Sequence, residues 1–138
     1  MTEQELYRLL QRYAYLCHQL SGITDRIVAL EYKITTSYGN TGGGSASGNH
    51  SKVEDFVAKK VKLQREADRI NAKVQMVNKA LSCPLLTFYE KEILGWIITG
   101  RKLADYAELE GIYSSRVYKL RDKALKKAVN YIMQDKTG

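Results

Sequence analysis

"RKLADYAELEGIYSSRVYKLRDKALKKAVNYI", residues 101–132, is the stretch on which the fold turns. Leu103, Ala107, Ile112, Val117 and Leu120 are spaced for the inward sides of two helices that meet at Gly111. The second helix is crowded with Arg116, Lys119, Arg121, Lys123, Lys126 and Lys127. A helix-turn-helix needs small or apolar positions where its helices approach, and a glycine free to turn left-handed between them. Its second helix must keep one apolar face inward and show polar and basic groups to a major groove. Here Val117, Leu120 and Ala124 form the inward stripe, and Ser115, Arg116, Lys119 and Lys123 fall on the opposite side. Ser114 is the expected N-cap. The alternative for the same stretch is a basic helical hairpin closing a small domain.

Outward from this stretch, "SCPLL" at 82–86 marks a break, because Pro84 cannot continue a helix. Thr87 and Glu90 then have the spacing of a capping box, opening a helix that runs through Trp96 towards Gly100. Further back, Leu6, Leu9, Tyr13, Leu16, Leu20, Ile23, Ile27, Leu30 and Ile34 recur at alternating steps of three and four. Val53, Phe56, Leu63, Ala67, Ile70, Val74, Val77 and Leu81 repeat the pattern, with Lys60 interrupting it. That is heptad spacing along two long helices. Between them, "SYGNTGGGSASGNH" at 37–50 reads as a flexible tip, and Ser51 with Glu54 as the cap of the second arm. A phosphate loop does not fit the glycines, since no Lys-Ser or Lys-Thr follows them.

The expected fold is therefore all-α: a long antiparallel, coiled-coil-like helical hairpin over 1–82, followed by a helix-turn-helix lobe over 83–138. Leu10, Cys17, Val57 and Val61 widen the two stripes beyond what one hairpin can cover. They predict a homodimer interface in a four-helix arrangement.

At 138 residues the chain supports one domain or two small lobes. Its net charge is +7, and residues 1–50 balance four basic against four acidic groups, so the excess follows position 50. Localised positive charge predicts a polyanionic partner. Cys17 and Cys83 have no metal or redox spacing, and His18 and His50 stand alone. No cofactor, metal site or enzyme chemistry is expected. No apolar run approaches the roughly 20 residues of a membrane span. The polar start "MTEQELYRLL" is unlike a signal peptide, and the two widely separated cysteines suit a reducing cytoplasm.

Leu103, Ala107, Gly111-Ile112, Ser115-Arg116-Val117 and Ala124-Leu125 resemble the helix-turn-helix of sigma-factor region four. "LTFYEKEIL" at 86–94 is similar to that region's first helix. With the hairpin in front, the chain resembles phage-encoded transcription regulators of the ArpU and RinA type. The resemblance implies binding to double-stranded DNA in the cytoplasm of a bacterial host cell, control of phage or prophage late genes, and RNA polymerase as a further partner. Ser114, Ser115, Arg116, Tyr118 and Lys119 are the expected groove-side residues, and Lys123, Lys126 and Lys127 the expected phosphate contacts. Two other readings use the same parts: a phage small terminase subunit, and a protein–protein adaptor or inhibitor that has lost DNA binding. Where the sigma pattern has a leucine before the glycine this chain has Glu110, and Tyr106 stands in place of a typical isoleucine.

Overall fold

The two heptad series form two long helices, α1 (Glu3–Gly39) and α2 (Ala46–Leu81). The structure, a computed structural model, describes residues 1–39 and 46–137, with side chains over 1–37 and 52–134. Every residue of the first series is buried or half-buried, as is every residue of the second. Lys60, the interruption, is half-buried and sets its ammonium 3.2 Å from the Glu31 carboxylate on α1. The chain then forms three shorter helices: α3 (Phe88–Ile98), α4 (Leu103–Glu110) and α5 (Ser114–Thr137). Among the described residues there is no strand, so the protein is all-helical.

Helix takes up more of the 37–50 stretch than its composition suggested. α1 continues to Gly39 and α2 starts at Ala46, so only 40–45 of the stretch read as loop lie outside the described residues. Extending an established helix adds a hydrogen bond for each residue fixed, against a glycine cost of only about 1 kcal/mol. Ser51 consequently lies inside α2, and a Ser51–Glu54 capping box does not begin it.

The chain gathers into two compact units: Met1–Leu16 with Lys73–Gly138, and Cys17–Ala72. This division differs from the boundary expected after residue 82. The reason lies in the first unit's core. α3, α4 and α5 pack on one another, but their inward faces also take in Leu6 and Leu10 of α1 and Val77 and Ala80 of α2. All four are fully buried. Leu10, expected at a dimer interface, is thus consumed by the protein's own core and has no surface to offer a second copy. In the second unit α1 and α2 run antiparallel, with Glu31 beside Lys60 and the Lys33 ammonium 5.7 Å from the Phe56 ring.

Two left-handed glycines end the helices that lead into α5. Gly100 has φ 75° and Gly111 φ 66°. After α3, Gly100 N–H donates to Ile97 and Arg101 N–H to Trp96; after α4, Gly111 N–H donates to Glu108 and Ile112 N–H to Ala107. Each pair of bonds is a Schellman motif, which satisfies the last helical carbonyls while the chain reverses. The hydrophobic contact that usually accompanies it is replaced at α3 by the Arg101 guanidinium, 5.1 Å from the Trp96 ring. At α4 Ile112 fills that role and packs on the core.

Candidate nucleic-acid interface

α5 enters from the turn after Gly111. Its first bonds run from Arg116 and Val117 N–H to the Tyr113 carbonyl, and Ser114 is already helical. The cap position therefore belongs to Tyr113, one residue earlier than expected, and Ser114 occupies the first helical position. Val117 and Ala124 are fully buried and Leu120 is half-buried, so the expected inward stripe forms. Leu125, Ala128, Val129 and Ile132 extend it along the rest of the helix.

The outward side carries Ser114, Ser115, Arg116, Lys119, Lys123 and Lys126, all exposed. Among the described residues none of these four cations forms an ion pair with a carboxylate. The first turn of α5 contains no acidic residue, so its helix-end N–H groups keep their positive field. Tyr118 is exposed, with the Arg121 guanidinium 5.1 Å from its ring. Arg121 also lies 5.5 Å from the Tyr7 ring and 3.0 Å from Asp122, and is held among these partners.

Lys127 departs from its expected role. Its ammonium lies 2.7 Å from Glu90 Oε1 and 3.2 Å from the Leu85 carbonyl, tying α5 to the start of α3. Glu90 is 1% exposed. Its carboxylate also accepts from Thr87 N–H at 3.4 Å, and Thr87 Oγ1 accepts from Glu90 N–H at 3.3 Å, completing the expected capping box. Burial by itself would raise the Glu90 pKa, but Lys127 and the bonds from Thr87 together hold it below the usual carboxylate value. An ammonium committed to a buried carboxylate is not available to phosphate. The sequence shows Thr87 and Glu90 as a cap; it does not show that the cap is buried or that a lysine 37 residues later neutralises it.

Tyr106, the substitution for a typical isoleucine, is buried with its hydroxyl donating to Glu92 at 2.6 Å. Its ring meets Trp96 edge-on at 5.3 Å, and Trp96 packs half-buried against the core. Burial and the Glu92 carboxylate push the Tyr106 pKa upward, so the phenol stays protonated and keeps donating. A buried aromatic with its one polar atom satisfied fills the isoleucine position without orphaning a hydrogen-bond group. On the solvent side of the same turn, Asp105, Glu108 and Glu110 are exposed, together with Leu109 and Tyr113.

Compared with family models, curated proteins and solved structures, the chain matches none. Its own residues carry the functional reading. Of the expected interface residues on the two arms, Cys17 is half-buried, while Val57 and Val61 are exposed. Val28 and Tyr32, four apart on α1, are also exposed. Among the described residues no three His, Cys, Asp or Glu side chains gather as metal ligands, and no helix is long and apolar enough to cross a membrane.

Proposed function

We propose that this chain is a sequence-specific, double-stranded-DNA-binding transcription regulator acting as a homodimer, with α4, Gly111 and α5 as a sigma region-four-like helix-turn-helix. The observation that carries the reading is the outward side of α5. There Ser115, Arg116, Lys119 and Lys123 form one exposed basic surface, backed by an apolar inner stripe, with no acid in the first turn of α5. Control of phage or prophage late genes, with RNA polymerase as a further partner, follows from the resemblance to ArpU- and RinA-type regulators. Arg116 and Lys119 lie near the start of α5, where base edges come within reach; Lys126 lies further along, where phosphates are the available partners.

DNA fragments selected from a random pool by the protein supply the specific site. On that site Arg116→Ala should cost about 1–3 kcal/mol and relax sequence preference. Lys126→Ala should weaken specific and scrambled duplexes about equally and reduce the salt slope by about one unit. Titrations at several salt concentrations distinguish the two effects. Unchanged affinity in both variants would remove the DNA reading and favour the adaptor, for which exposed Leu109 and Tyr113 beside the acidic residues of α4 would be the binding surface.

The dimer is assigned to the side of the arms that shows Val57 and Val61, with Val28 and Tyr32 completing it. Sedimentation equilibrium at about 0.5 M salt should give about twice the chain mass of 15.7 kDa, and Val57→Glu with Val61→Glu should give a monomer there. A large ring that persists at that salt would favour the small-terminase reading instead.

A further inference from the structure

The second compact unit has a groove of about 450 Å³ between α1 and α2. Its floor is formed by the half-buried Leu30 and Leu63, and its walls carry Arg26, Lys33, Lys59 and Lys62, all exposed. Glu66 is the one acid lining it. Helical spacing puts these residues on the opposite side of the arms from Val57 and Val61. The contrast with that other side is informative. There the two helices meet through opposite charges, Glu31 and Lys60. Around the groove the same register brings Lys33 towards Lys59, like facing like. Like charges facing one another across two helices oppose their association, and Glu66 alone does not balance the four cations. Phosphate would answer the charge but would gain nothing from an apolar floor. An acidic helix with an apolar side chain answers both.

The chain itself carries such a helix. α4 turns Tyr106 and Ala107 inward and leaves Asp105, Glu108 and Leu109 exposed on its outer side. Leu109 is 72% exposed, an apolar side chain flanked by two carboxylates. We propose that the basic groove of one copy takes the outer face of α4 from a second copy. Leu109 enters towards Leu30 and Leu63, and Asp105 and Glu108 meet the lysines of the walls. The contact joins two different surfaces, so it is head-to-tail, and it continues into a ring or a filament according to its rotation. It stands apart from the DNA reading and from the Val57–Val61 dimer, and it is tested without DNA.

The experiment is sedimentation of the full chain with two charge-reversed variants, Lys59→Glu/Lys62→Glu and Asp105→Lys/Glu108→Lys, with circular dichroism confirming that each keeps its helical content. Wild type should associate beyond the Val57–Val61 species at low salt and return to it at about 0.5 M salt, where such charges are screened. Each variant alone should associate about tenfold more weakly. An equimolar mixture should recover association, because the acidic groove of the first variant now accepts the basic α4 of the second, and the second's unaltered groove accepts the first's unaltered α4. Association that ignores salt and both reversals, or a mixture no better than its components, would overturn the proposal. Either result would leave the Val57–Val61 dimer standing.

Discussion

Two adjacent lysines on α5 have opposite fates. Lys126 is exposed, while Lys127 reaches the buried Glu90 across to α3. Removing one partner of such a pair leaves an uncompensated buried charge, a loss of about 3–5 kcal/mol for a fully buried pair. The Lys127 side chain is 34% exposed, so water replaces part of its role. Lys127→Ala should therefore cost nearer about 2 kcal/mol, and Lys126→Ala almost nothing, read from urea midpoints at neutral pH. The pH dependence has a definite sign. Because the folded-state pKa of Glu90 is depressed, its contribution is complete above the unfolded carboxylate value and is lost as pH falls through the folded one. The gap in stability between wild type and Glu90→Gln should then shrink in acid; a gap constant from neutral to acid pH would contradict this account. The sequence held a partial signal. At about 100° per residue Lys127 falls beside the inward stripe and Lys126 opposite it. What it could not supply was Glu90, whose burial depends on α3 and α5 packing together.

At the level of elements, helix ends were the most readable part of the chain. Thr87–Glu90 forms the box that its spacing announces, and Gly111 takes the left-handed turn. Ser51–Glu54 has equally good spacing and fails, because α2 was already under way at Ala46. A capping pattern states what a helix start can use, not where helix propagation began. Glycine behaves in the same conditional way. Gly111 and Gly22 both have open space where a Cβ would sit, but only Gly111 has positive φ. Gly111→Ala should thus destabilise by about 1–2 kcal/mol through backbone strain alone. Gly22→Ala, in the middle of α1, should stabilise by up to about 1 kcal/mol. Thermal unfolding of the two variants checks both signs, and a shift in the same direction for both would refute the distinction.

For the whole molecule, periodicity revealed two long arms and three short helices but not how the core is shared between them. Heptad spacing marks which side of a helix is apolar; it says nothing about what covers that side at each level. Read turn by turn, the spacing pairs α1 only with α2, yet at the start of α1 Leu6 and Leu10 enter the core of the C-terminal helices, as do Val77 and Ala80 from the end of α2. Leu10 could be mistaken for a dimer residue for this reason. The consequence concerns the fragment that the sequence boundary would suggest, residues 83–138. It keeps α3, α4, α5, both Schellman turns and the Glu90–Lys127 pair, and so retains every local signal. It loses the four fully buried side chains of the arms and exposes the faces of Ile93, Val117 and Ile132 that belong to the same core. Uncovering apolar surface costs about 25 cal/mol per Å², and a lobe of this size has little stability in reserve. The fragment should stay helical but unfold without a cooperative transition, and should bind any duplex with the same weak, salt-sensitive affinity. The full chain should unfold in a sharp transition under the same conditions. Calorimetry of both decides the matter: a cooperative, heat-absorbing transition in 83–138 would mean that the C-terminal helices close their own core and that the arms do not complete it.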